Sequence, residues 1–244
     1  MALSEHADYE KQVDISRRSA NVIIPIILEY YHPTSVVDVG CGIGAWLAAV
    51  RDQGINDILG VDGQWVPLDK LAIPLHDFTV ADLRKKFNMT RRYDLAISLE
   101  VAEHLPEESA EQFVSSLTSL APVVLFSAAI PHQGGPGHVN EQWPEYWAKM
   151  FEQHGYVPVD IVRPRVWANP DVCWWFAQNT LVYVDRDYLK KNDILFAASK
   201  ATNCDQLSLV HPKKYMDIVN NGRHSKPWIK RFYWKIIART TGCD

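Results

Sequence analysis

Residues 36 to 44 read VVDVGCGIG. An apolar run interrupted only by Asp38 reads as a strand buried on both faces, and it passes directly into Gly40, Gly42 and Gly44. A turn stripped of side chains lets backbone N–H groups and the start of the next helix approach a polar ligand closely. The glycine spacing is not that of a dinucleotide fingerprint, because the third glycine is missing at its usual distance. The next strand, DILGVD, ends on Asp62, twenty residues beyond Gly42, where a carboxylate can accept hydrogen bonds from ribose hydroxyls.

Outward from this stretch, short apolar runs alternate with amphipathic segments, the pattern of strand–helix units in a parallel sheet. The spacing predicts a helix over 15–31, strand 36–40, a helix over 45–53, the strand ending at Asp62, a short strand near 71–75 and strand 93–99. Pro106 with Glu107 and Glu108 marks a helix start, with Phe113, Leu117 and Leu120 on its core face. PVVLFSAAI, 122–130, reads as a continuous buried strand. A glycine-rich loop over 131–139, a helix with the stripe Trp143, Trp147, Met150 and Phe151, and strands near 156–163 and 178–184 complete a set of seven strands.

Composition bounds the class. A chain of 244 residues that is 47% hydrophobic and 22% charged suits one large domain with additions. No segment approaches the roughly 18 consecutive apolar residues of a membrane span, and MALSEHADYEKQ lacks a signal-peptide pattern, so a cytoplasmic protein is expected. Cys41, Cys173, Cys204 and Cys243 have neither metal-ligand nor disulfide-framework spacing. Between His211 and Arg239, eight Lys and Arg face one Asp, a net +7 that leaves −11 on the rest of a −4 chain. Trp228, Phe232, Tyr233, Trp234, Ile236 and Ile237 are interleaved with those charges. The tail 211–239 therefore reads as a basic helical extension, docked on the body or available to an anionic membrane surface or an acidic protein.

The ordered set DxGxG at 38–42, Asp62, HDF at 76–78 and YDLAISLEVAEHL at 93–105 resembles the class I S-adenosylmethionine-dependent methyltransferases over about residues 15–185. The resemblance implies an α/β, Rossmann-like, seven-stranded mixed sheet with its last strand antiparallel and helices on both faces. It divides the chain into a methyltransferase domain, 1–185, and a basic, aromatic extension, 186–244. It also implies S-adenosylmethionine as cofactor. Asp38, Gly40, Cys41 and Gly42 would surround its methionine portion, Asp62 the ribose, and Gly63, Gln64, Asp77 and Phe78 the adenine. Leu99, Glu100 and Val101 would form the floor under the sulfonium.

SLEVAEHLP, 98–106, places Glu100, Glu103 and His104 at i, i+3 and i+4, one face of a helical turn. Its ExxEH segment resembles one that binds a divalent metal in small-RNA terminal 2'-O-methyltransferases and in quinone O-methyltransferases. Elsewhere in the family similar segments hold no metal. The preferred reading has no metal, with His138 as general base and Glu103 and His104 beside it; a metal, if present, would take Glu100, Glu103, His104 and His138. The loop segment IPHQGGPGHVNEQWPEYW adds His132, Asn140, Glu141, Gln142 and Trp143, with Asn140 also a candidate helix N-cap. RPRVWANPDVCWWFAQN suggests an acceptor wall of Trp174 and Trp175, with Arg163 or Arg165 for an anionic group. Asn140, Glu141, Trp143, Arg165, Trp174 and Trp175 are thus the candidate substrate contacts.

HVNEQWPEYW, FEQHGY, WWFAQN and LSLVHPKKY further resemble bacterial methyltransferases of surface-glycan and specialised-metabolite pathways. The expected activity is O-methylation of a small polar metabolite or a sugar or glycan precursor. The alternatives are metal-assisted 2'-O-methylation of RNA, which the acidic body disfavours, and a non-catalytic binding protein.

Overall fold

The structure, a computed structural model, describes residues 2–87 and 89–224, with the side chains of 13–87 and 89–220. The aromatic residues Trp228, Phe232, Tyr233 and Trp234 and the basic residues from Lys226 onward lie outside the described residues, as does the part of the expected tail contact beyond His224. One compact unit runs to Leu209 and a second begins at Val210, whose described part contains the helix Pro212–His224. Among the described residues no helix is long and apolar enough to cross a membrane.

Seven strands form one sheet: β1 Ser35–Val39, β2 Asp57–Asp62, β3 Phe78–Val80, β4 Leu95–Leu99, β5 Val123–Ser127, β6 Tyr156–Val159 and β7 Leu181–Asp185. Their order is β3-β2-β1-β4-β5-β7-β6, and only β7 runs antiparallel to its neighbours. β1, β4 and β5 are buried at every position because both faces are covered. Leu95, Ile97, Val123 and Leu125 join one core with the helices α1 (Ala2–Tyr30) and α2 (Ala45–Asp52). Ala96, Val124 and Phe126 point the other way, into a core with α3 (Ala110–Leu120) and α4 (Pro144–Gln153). In that second core Phe151 stacks on Tyr183 at 3.9 Å, and Phe126 meets Trp147, Phe151 and Tyr183 within 6.0 Å.

Several expected boundaries shift for local reasons. The third strand is at 78–80 rather than 71–75; Pro74 has no N–H for a ladder, and β3 pairs with Gly60 to Asp62 instead. The stretch 122–130 is strand only to Ser127, although Ala128 to Ile130 remain buried. The sixth strand stops at Val159, and Arg163–Val166 forms the short helix α5. Residues 178–180 belong to the end of α6 (Trp174–Asn179) and its cap, so β7 starts three residues later than expected. Of the expected α4 stripe, Trp147 and Phe151 are buried, Met150 is half-buried, and Trp143, 40% exposed, is the N-cap.

Candidate active site

The carboxyl ends of β1, β2, β4 and β5 meet at one edge of the sheet. The glycine turn after β1 is tied to β2: Gly40 N–H donates to the Val61 carbonyl at 2.7 Å, and Gly42 N–H to Asp62 Oδ2 at 2.7 Å. Gly63 N–H donates to the other Asp62 oxygen at 2.6 Å. Burial raises the Asp62 pKa even though these donors oppose it. Asp38 is buried beneath the turn with Oδ2 unpartnered, and burial together with the Asp62 charge pushes its pKa well up. A side chain at Gly42 would meet nothing within 4 Å, so the turn opens onto free space.

Gly40 cannot carry a side chain. Its φ is +84°, and a Cβ there would lie 2.3 Å from Val101 Cγ2. Left-handed backbone alone costs a non-glycine residue about 1–2 kcal/mol, before Val101 is displaced. Gly40→Ala is therefore expected to lower Tm by roughly 2–4 °C or more and to weaken binding at the turn by about tenfold. A thermal melt and calorimetry with S-adenosylhomocysteine check both.

The 98–106 stretch is not the single helical turn its spacing suggests. Glu100 sits in left-handed backbone, φ 55°, because the Ser127 carbonyl and hydroxyl hold its N–H at the end of β4 (3.0 and 3.1 Å). Only Ala102–His104 forms a turn, of 3-10 type, which buries Glu103 and leaves His104 exposed. The Glu100 carboxylate is taken up by amides: Gln133 Nε2 donates to Oε2 at 2.9 Å and Asn179 Nδ2 to Oε1 at 3.1 Å. Gln178 and Gln133 extend this buried network, and burial raises the Glu100 pKa.

Glu103 is 0% exposed, and neither carboxylate oxygen has a hydrogen-bond partner. Burial first, then the neighbouring Glu100, drives its pKa well up. Its backbone carbonyl anchors the loop after β5, accepting from Val139 N–H at 2.8 Å and Asn140 N–H at 3.0 Å. That anchor brings His138 against His104, ring centroids 4.8 Å apart and edge-on. His138 Nδ1 lies 2.8 Å from Glu141 Oε1, and Glu141 also accepts from Gly134 N–H at 2.6 Å. Because a carboxylate only accepts, His138 Nδ1 is the donor to Glu141, which in a neutral ring would put the lone pair on Nε2. Burial would raise Glu141, but His138 and the Gly134 N–H hold it below the usual carboxylate range. Desolvation by its surroundings and the nearby His138 lower the His104 pKa, although part of the side chain is exposed. Ligand atoms of Glu103, His104 and His138 lie within 4.8 Å of one another, a group fit for a metal ion. Glu100, engaged by amides, is not in that group.

Other expected residues fall elsewhere. Arg165 pairs bidentately with Glu29 on the surface, at 2.7 and 3.0 Å, and buried Arg163 is spent on Asp160 and the Leu207 carbonyl. Asn140 does not cap α4; it is buried with Nδ2 unpartnered. Glu141 staples the loop internally. Trp174 and Trp175, edge-on at 5.5 Å, open α6, whose far end carries Gln178 and Asn179. Gln133, Gln178 and Asn179 had no sequence signal, since their role depends on three separate segments meeting at Glu100.

A family profile described as a methyltransferase domain matches residues 17–178. The chain belongs to that family, and it is an S-adenosylmethionine-dependent methyltransferase. Similar solved structures include the magnesium protoporphyrin IX methyltransferase of Synechocystis, with 17% identity over 72% of this chain and 87% of that one and a TM-score of 0.53. The sugar N-methyltransferase KedS8 of Streptoalloteichus gives 16%, 69%, 87% and 0.53. The small RNA methyltransferase HEN1 gives 19% over 67% of this chain but 25% of its own, with a TM-score of 0.50. At such identities the likeness is one of fold. No curated protein gives a significant match.

Proposed function

We propose that this methyltransferase acts on a hydroxyl oxygen of a small polar acceptor, a sugar or glycan precursor, at the cluster formed by Glu103, His104 and His138. The observation that carries this reading is the buried Glu103 carboxylate, with neither oxygen partnered, in a group with two imidazoles at the end of β4. An acceptor hydroxyl must lose a proton as its oxygen is methylated, and a neutral imidazole is suited to take it. His138 is the base, with its lone pair on Nε2 and its other nitrogen fixed by Glu141. His104 and the unpartnered Asn140 amide position the acceptor, and Trp174 and Trp175 wall it.

S-adenosylmethionine supplies an electrophilic methyl group on a positively charged sulfur. In this assignment the unpartnered Asp38 oxygen takes the cofactor's ammonium, Asp62 accepts from the ribose hydroxyls, and Gly63, Gln64, Asp77 and Phe78 flank the adenine. The protein's contribution is chiefly orientation and exclusion of water. The loop 131–142, bound to the Glu103 carbonyl, supplies both.

The same cluster favours a second element. As an alternative to base catalysis, Glu103, His104 and His138 would hold a divalent cation that would lower the pKa of the acceptor hydroxyl, with His138 Nε2 then a ligand and not the base. Glu141 then plays the carboxylate that orients a ligating histidine. A panel of nucleotide sugars, small polar metabolites and short RNA, incubated with labelled methyl donor with and without chelator, tests both points. Label on a sugar or metabolite hydroxyl is the expected result, and its loss on chelation would make His138 a ligand and not the base. Label on RNA alone overturns the acceptor class, and indifference to chelator removes the cation.

A further inference from the structure

Trp65 stands beside the cofactor end of the sheet, and none of the roles above employs it. It lies in the tight turn after Asp62, where Val66 N–H donates to the Gly63 carbonyl at 3.3 Å. Its indole is folded back onto Gly63: a Cβ built there would lie 2.1 Å from Cη2, 2.2 Å from Cζ3 and 2.3 Å from Cζ2 of the ring. Even so the residue is 73% exposed. Gly63, on which the ring lies, is itself a donor to the Asp62 carboxylate together with Gly42, so the indole sits beside that carboxylate.

The ring and a bound ribose would compete for the space beside Asp62. A carboxylate offers about four acceptor sites, and a ribose diol needs two of them. The Gly42 and Gly63 donors belong to a backbone pinned at both ends, so neither can withdraw. The indole can, because a side chain so exposed surrenders little buried apolar area when it swings. A bound adenosine would then give the ring a flat partner on which to close, by stacking.

We propose that Trp65 is a gate on the nucleoside site. In the free protein it rests on Gly63 over Asp62, it swings aside to admit the nucleoside, and it closes again as a lid that slows release. The proposal rests on the assignment of Asp62 to the ribose.

Two substitutions open the gate by different routes. Trp65→Ala removes the ring, which is exposed enough that folding is unaffected. Gly63→Ala keeps the tryptophan but puts a methyl group where the ring now lies; the backbone at Gly63 is not left-handed, so alanine fits the chain and it is the indole that must move. Stopped-flow release of S-adenosylhomocysteine from the full chain is expected to be about tenfold faster in both variants, since lost lid contacts appear chiefly in the off-rate. Release within about twofold of wild type in either variant overturns the gate. Asp62→Ala, measured alongside by calorimetry, separates the underlying assignment: weakened equilibrium affinity supports it, and unchanged affinity overturns both it and the gate.

Discussion

Glu103→Gln is expected to lower turnover by about 10²–10³-fold while leaving S-adenosylhomocysteine affinity unchanged. The side chain is 0% exposed, and the amide has nearly the same shape, so packing is preserved and only the charge and its basicity are lost. An unpaired buried carboxylate is costly, and wild type carries that cost in a pH-dependent form. Burial and Glu100 raise the folded pKa above the unfolded value, so the folded state binds this proton more tightly. The resulting stability is fully present below the ordinary glutamate pKa, about 4.3, and is lost as pH rises toward the folded value. Wild type should therefore lose more stability than the variant between acidic and neutral pH, which thermal melts across that range would register. If the cluster holds a cation, manganese at a hundredfold excess over its Kd should add about 2.7 kcal/mol to wild type and almost nothing to the variant. Normal turnover by Glu103→Gln would remove the carboxylate from the chemistry.

The parts of this site that were legible in the sequence are those fixed by local chain geometry. VVDVGCGIG needs no partner to announce a buried strand entering a side-chain-free turn, and Asp62 is legible from its position at the end of the next strand. The seven-stranded sheet with its reversed β7 matches what the family resemblance implied. SLEVAEHLP was misleading because i, i+3, i+4 spacing carries meaning only inside a helix. The two Ser127 contacts to the Glu100 N–H hold that residue at the strand end, and contacts of that kind are set by tertiary pairing rather than by neighbours in sequence. The same holds for Arg165, whose partner Glu29 is 136 residues away, and for the amides around Glu100. Trp65 did have a signal: a large aromatic placed three residues beyond a strand-ending acid, in a turn, where nothing requires burial. Its contact with Gly63 becomes meaningful only once the ring's direction is known.

His138→Ala is expected to reduce turnover by about 10²–10⁴-fold, again with little change in cofactor affinity, because the group removed acts on the acceptor proton and not on the glycine turn. Glu141→Gln should cost less, about tenfold, since it loosens the ring that Glu141 orients without removing its nitrogen. The depressed Glu141 pKa sets the pH range of that staple: its stabilisation is present above the ordinary carboxylate range and disappears as pH falls through the lower folded value. The staple therefore remains intact throughout the range in which an imidazole titrates. The His104 titration reports separately on the contact between the two rings. Burial is the larger cause of its lowered pKa and the nearby His138 the second, so deleting His138 should move the His104 titration upward toward the ordinary imidazole value while burial keeps it below. Proton NMR of the ring resonances in wild type and His138→Ala measures that shift. A variant with wild-type turnover, whatever its His104 titration, would transfer the base role to another group in the loop.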